Sequence, residues 1–143
     1  MDEQKKKEIL EKVNNWGSEE NLGKTLGIVF TDVTEDTLTA TMPVNPKVHQ
    51  PFGILHGGAS CVLAETLGSS LSYLHIDKNG YVPVGTNINS NHLRSKRNGI
   101  VTGKASFIRK GNSVHVSQIE IFNEKGVLIN YTTMTNNIIP KIQ

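Results

Sequence analysis

The chain has 143 residues, 36% of them hydrophobic and 20% charged, which suits one domain with its own core and excludes a disordered tail. Lys and Arg number 15 against 13 Asp and Glu, a net charge of +2 without a dense basic stripe, so no nucleic-acid partner is expected. One cysteine, Cys61, excludes a disulfide framework or a multi-cysteine metal site and fits a reducing cytoplasm.

The N-terminus, Met1 to Lys7, is charged and no apolar stretch follows it, so no secretory signal is expected. Across residues 3–16, Ile9, Leu10, Val13 and Trp16 form a helical stripe among charges, which predicts an amphipathic helix within the first 20 residues. Gly17 ends it. Leu26 to Val33 and Thr37 to Met42 read as a strand pair, with Leu38, Ala40 and Met42 on one face and a turn at Glu35-Asp36. The stretch from 48 to 76 holds only one Asp, Glu, Lys or Arg, namely Glu65. It begins as a Gly/Pro loop, Gln50 to Gly58, and continues from Ala59 to Leu74 as a helix buried on most sides yet too polar to span a membrane.

Four more strands follow at Val82–Asn91, Ile100–Arg109, Ser113–Phe122 and Val127–Thr135. Turn residues separate them at Lys96-Arg97-Asn98-Gly99, Lys110-Gly111-Asn112 and Asn123-Glu124-Lys125-Gly126, and such short links predict antiparallel neighbours. The fold class is α+β: one antiparallel sheet covering a single long helix, with residues 1–143 as one domain.

Glu65 stands out because a carboxylate on an uncharged helix is costly to bury unless paired. Alone it reads as a helix face that reaches solvent, a paired structural acid, or a catalytic group. His56-Gly57-Gly58 is either a tight turn or a helix N-terminus whose amides receive an oxyanion. Gly57 and Glu65 are eight residues apart, about 12 Å along a helix axis, too far to act on one carbonyl within a single chain. Two copies with antiparallel helices can bring them together, so an active site built on these two residues would lie at a dimer interface. Ser69 lies one turn after Glu65, and Gln50 and His56 offer an amide and an imidazole beside the loop. Cys61 reads as a small core residue. The histidines at 49, 56, 75, 92 and 115 have no metal-site spacing, so no metal is expected. Arg94, Lys96, Arg97, Arg109 and Lys110 lie at or near strand ends, either solvated or placed to hold a polyanion with the Lys110-Gly111-Asn112-Ser113 amides.

The run from Gln50 to Ala59 continued by Leu63-Ala64-Glu65-Thr66-Leu67-Gly68-Ser69, with Ile88 to Arg94 and Gln118 to Phe122, resembles the hot-dog-fold acyl-CoA thioesterases. The group in question includes the helix-Glu 4-hydroxybenzoyl-CoA, phenylacetate-pathway and 1,4-dihydroxy-2-naphthoyl-CoA types, and the likeness runs through residues 22–136 in matching order. It implies a curved sheet wrapped around one long helix, a homodimer with two sites between protomers, and a homotetramer built as a dimer of dimers. It also implies cytoplasmic hydrolysis of an aryl or other bulky acyl-CoA to free acid and CoA, with CoA as part of the substrate and no separate cofactor. Glu65 matches the nucleophile or general base, Gly57 the N–H that polarises the carbonyl, Gln50 and His56 the polar pair at the thioester, and Ser69 the hydroxyl after the acid. Gly85, His92, Arg94, Ser95, Arg109, Lys110, Gly111, Asn112 and Ser113 resemble the surface that grips CoA. Phe52, Leu63 and Tyr73 are candidates for the acyl pocket. The alternatives are a non-catalytic acyl-CoA sensor and a hydrolase of acyl groups on a carrier protein. Asn45-Pro46-Lys47-Val48-His49 lacks the leading Asp and the spacing of a hydratase signature, so hydration is not expected.

Overall fold

The computed structural model describes residues 1–142. In chain order these form α1 (Glu3–Asn14), α2 (Leu22–Thr25), β1 (Val29–Val33), β2 (Thr37–Pro43), a 3-10 turn at Pro46–Val48 and α3 (Gly57–Leu74). Four strands follow: β3 (Tyr81–His92), β4 (Ile100–Lys110), β5 (Val114–Phe122) and β6 (Leu128–Pro140). All six strands form one sheet in the order β1-β2-β4-β5-β6-β3, every neighbouring pair antiparallel.

The sheet curls around α3, which is the hot-dog arrangement. Alternation in β2 sends Leu38, Ala40 and Met42 inward, each 0% exposed. On α3 the i, i+4 ridge of Leu63, Leu67 and Leu71 meets them and is equally buried. Each such leucine contributes roughly 1.5–3 kcal/mol through burial. Register shifts in β1, β3 and β4, at Phe30/Asp32, Gly85/Asn87 and Phe107/Arg109, add the local bends that let the sheet wrap.

Several boundaries differ from those the sequence predicts. Leu26 ends the short α2, and Gly27 (φ 75°) turns the chain, so strand pairing begins only at Val29. The first helix stops at Asn14, leaving Trp16 beyond it, half exposed and stacked on Tyr73 of α3 at 4.1 Å. The long helix starts at Gly57, because His56 caps it and draws both glycines into its first turn. Short links predict β3 beside β4, but β4 lies between β2 and β5, and β3 pairs with β6 at the sheet edge instead. Residues 93–99 therefore cross from that edge strand to the middle of the sheet. Among the described residues no helix is long and apolar enough to cross a membrane.

Candidate active site

The loop before α3 is held from both sides. Leu55 N–H donates to Lys96 O (2.7 Å), His56 N–H to Val48 O (2.8 Å), and Gln50 N–H to Ile54 O (2.9 Å). His56 then acts as N-cap in two ways. Its carbonyl accepts from Ala59 and Ser60, and its Nδ1 accepts from Gly58 N–H at 2.7 Å. An accepting Nδ1 leaves the ring proton on Nε2, facing outward. Gly57 N–H has no acceptor among the described residues and lies at the positive end of the 18-residue α3. Gln50 Oε1 accepts from Phe52 N–H, which leaves the Gln50 amide N–H groups as its open donors.

Beside this helix end is a groove of about 330 Å³ lined by Gln50, Gly57, His92, Arg94 and Ser95, with Ile54, Leu55 and Leu93 as apolar walls. Five residues predicted from the sequence for two different roles thus share one concavity. Gly57 is glycine for a spatial reason: a Cβ there would lie 2.7 Å from His92 Nε2. The groove's outer wall is pinned, since Arg94 Nη1 donates to Leu128 O (2.8 Å) and Lys96 Nζ pairs with Glu124 at 2.6 Å. Hydrogen bonding to Lys96 and to the Ile100 N–H holds the Glu124 pKa down to about 2.

Glu65 is two turns further along α3, exposed, with no hydrogen bond or ion pair among the described residues. Of the readings open for it, the helix face that reaches solvent is the one seen in the single protomer. Its carboxylate reaches over β3 at Gly85, where a Cβ would sit 2.9 Å from Glu65 Oε1. Ser69 does not turn toward it. The Ser69 hydroxyl donates to Asn136 Oδ1 (3.3 Å), and Asn136 Nδ2 donates to Gly68 O and to Ser72 Oγ (3.1 Å). Ser72 Oγ also bonds His115 Nδ1 (3.0 Å). Burial first, then the neighbouring His75, lower the His115 pKa against an opposing bond to the Gly111 backbone.

Arg109 to Ser113 lie elsewhere. Lys110, Gly111 and Asn112 line a separate recess with His75, Tyr81 and His115 at the C-terminal end of α3, about 27 Å of helix from Gly57. Within that turn Gly111 N–H is committed to Val114 O (2.9 Å). The nine residues predicted to grip CoA therefore fall at the two ends and the middle of α3. Of the acyl-pocket candidates, Leu63 is corrected: it is 0% exposed and belongs to the core. Phe52 is 84% exposed at the loop tip. A cleft of about 260 Å³ between α1, α2 and α3 is lined by Trp16, Leu22, Phe30, Thr66 and Ser70 among others. No three His, Cys, Asp or Glu side chains among the described residues converge to hold a metal.

Sequence reading passed over Asn130 and Asn136, 1% and 0% exposed on the inner face of β6. Their signal was available: residues 130, 132, 134 and 136 share a face, and three of the four are polar.

Comparison with known proteins adds to this geometry. Residues 52–130 match the family described as the thioesterase superfamily. The 1,4-dihydroxy-2-naphthoyl-CoA hydrolase of Escherichia coli is 47% identical, over 94% of this chain and 98% of its own. The proofreading thioesterase EntH of Cronobacter sakazakii is 46% identical over 71% of this chain and 73% of its own. Among solved structures, a mutant thioesterase from Pseudomonas aeruginosa superposes with a TM-score of 0.88 and 44% identity, covering 92% of this chain and 94% of that one.

Proposed function

This chain belongs to the thioesterase superfamily and is a thioester hydrolase; from that premise we propose that its substrate is an aryl or other bulky acyl-CoA, cleaved between two copies of the chain. The carrying observation is that the half-buried Gly57 has a free N–H in the groove's wall and the exposed Glu65 is unpaired, eight residues apart on one helix. An antiparallel pairing of two α3 helices sets the Gly57 of one copy level with the Glu65 of the other. The midpoint of those two positions is Cys61, so the two-fold axis passes beside it. The same pairing brings the Arg109–Ser113 turn of one copy toward the Gln50–Arg94 groove of the other. Residues split along one protomer then meet along one extended ligand.

Two features support this pairing. β3 is an edge strand of 12 residues with no strand beyond it, and Val84 and Ile88 on it are 41% and 36% exposed. The α3 face bearing Cys61, Val62, Glu65, Thr66, Ser69 and Tyr73 is left uncovered or half covered beside it. Support for an aryl-CoA comes from the name of the Escherichia coli relative. The Trp16–Thr66 cleft, with aromatic walls and hydroxyls, has room for such a ring.

In the reaction the thioester carbonyl oxygen accepts from Gly57 N–H, where negative charge develops. Glu65 either takes a proton from the attacking water or attacks the carbonyl carbon itself, forming an anhydride that water then opens. In both routes the C–S bond breaks and CoA leaves as the thiol. Gln50 and His56 orient the thioester and the water.

Thiol release from benzoyl-, hydroxybenzoyl-, phenylacetyl-, dihydroxynaphthoyl- and straight-chain acyl-CoAs tests the reading, with Glu65→Gln in parallel and Cys61 as the background thiol. One acyl group is presented on CoA and on a carrier protein. Fast release from an aryl-CoA, lost in Glu65→Gln, is the expected result; uniform turnover of all acyl chains, or a fully active variant, overturns it. Single turnover in oxygen-18 water labels Glu65 only if it is the nucleophile. Oxidative cross-linking of Cys61 to itself reports the position of the axis.

A further inference from the structure

His92 closes β3 and its ring leans on the first turn of α3, in the groove that also holds Gln50 and Gly57. What holds that ring is a buried side-chain circuit on the neighbouring strand. Asn130 pairs with His92 across the β3–β6 ladder and is 1% exposed. Its Nδ2 donates to His92 Nδ1 (3.0 Å) and to Ser90 Oγ (2.8 Å). Its Oδ1 accepts from Thr132 Oγ1 (2.7 Å), and the Ser90 and Thr132 hydroxyls meet at 2.8 Å.

The hydrogens in this circuit can be assigned by counting donors. Asn130 gives one N–H to Ser90, Ser90 gives its O–H to Thr132, and Thr132 gives its O–H to Asn130 Oδ1. That closes a ring in which each hydroxyl donates once and accepts once. The second Asn130 N–H then goes to His92. Turning the amide over closes a ring of opposite sense, but leaves one amide hydrogen without an acceptor in a residue sealed from water. The arrangement with every donor used is the one present, and it requires a lone pair on His92 Nδ1. The ring proton is therefore on Nε2, the atom that faces Gly57.

We propose that Asn130 is a positioning residue: through the Ser90–Asn130–Thr132 circuit it locks His92 as the Nε2–H tautomer and aims that N–H into the groove as a donor to a carbonyl oxygen of the bound thioester chain. The tautomer lock stands on the hydrogen-bond count alone, while the use of the donor rests on the reading of the groove as the thioester site. His92 Nε2–H then joins Gly57 N–H and the Gln50 amide in a groove that also carries Arg94, Ser60 and Ser95 and no side-chain acid, which suits an acceptor-rich ligand.

The test separates these two parts. Nitrogen-15 NMR of the histidine rings, recorded well above the ordinary imidazole pKa, distinguishes Nδ1–H from Nε2–H without any substrate. Wild-type protein should show His92 as Nε2–H. Asn130→Asp has the same shape but accepts where the amide donates, so it should move the proton to Nδ1 and turn Nε2 into an acceptor. Its kcat on the preferred thioester should fall roughly 10²–10³-fold, on the scale of losing one oxyanion donor, with a smaller change in KM. Asn130→Ala should leave a tautomer mixture and an intermediate rate. Nδ1–H in the wild type, a measurement that needs no variant to fold, overturns the proposal, as does an Asn130→Asp that keeps both Nε2–H and the full rate. If the tautomers switch as expected while His92→Gln and Asn130→Asp hydrolyse thioesters at wild-type rates, the donor role falls, and only the lock survives.

Discussion

The two edges of the sheet are built to opposite specifications. β1 has five residues and a register shift, and α1 lies against it. Asn14 of α1 acts as a one-residue substitute strand there, its Nδ2 donating to Phe30 O (2.9 Å) and its Oδ1 accepting from Phe30 N–H (2.8 Å). β3 is 12 residues long and carries exposed Val84 and Ile88, with no such cover. Long uncovered edges invite pairing, and proteins that remain single blunt them. One edge is therefore covered within the chain and the other stays open, and it is the open edge that the proposed pairing of two copies uses. Glu65 and Gly85 lie at the open one.

That contrast can be broken experimentally, beginning with the largest effect. Glu65→Gln, at the β3 edge, should lower kcat by roughly 10²–10⁴-fold with the melting temperature unchanged, read by thiol release and calorimetry. Next, Ile88→Lys should weaken self-association roughly 30-fold, the ~2 kcal/mol scale of an interface anchor, and activity should fall with it on dilution. Val29→Lys, on the 50% exposed β1 position, should change neither; sedimentation velocity at several concentrations decides the pair. If both variants behaved alike, the distinction between the edges would be lost.

Smaller effects sharpen the same comparison. Gly85→Ala places a methyl against the Glu65 carboxylate and should cost roughly 10–100-fold in kcat by misplacing it, with little loss of stability. Asn14→Ala should do the reverse, exposing the Phe30 backbone groups at a cost of about 1–2 kcal/mol in urea unfolding while the rate per folded molecule stays constant. The weakest effect comes from His115, buried on the interior strand β5. Its folded pKa lies below the ordinary imidazole value, so between the two pKa values unfolding takes up a proton. Stability should therefore be full above about pH 6.5 and decline as pH falls through that window, and His115→Gln should remove this slope.

Much of this was legible in the chain. Strict alternation in β2, the leucine ridge of α3 and turn residues between strands follow from local periodicity, which acts over a few residues and needs no partner. The loop and acid of the candidate site were equally visible, because Glu65 is the one Asp, Glu, Lys or Arg in a 29-residue stretch. Pro83 inside β3 was a further signal, left unused by the sequence reading, since a residue without an N–H is confined to edge strands.

Pairing was different. The short link after β3 argued for β4 as its neighbour, yet β3 crosses to β6, because which strand lies beside which is settled by how a sheet closes around α3 rather than by loop length. That choice puts Asn130 opposite His92 and Asn136 opposite Gly85. Sequence alone determined the candidate chemical groups, Gly57 and Glu65, and their order along one helix. Tertiary structure decided which histidine faces Gly57, which buried asparagines lie behind His92 and Ser69, and which edge was left open. Those depend on contacts between residues 38 to 68 positions apart, and no local pattern encodes them.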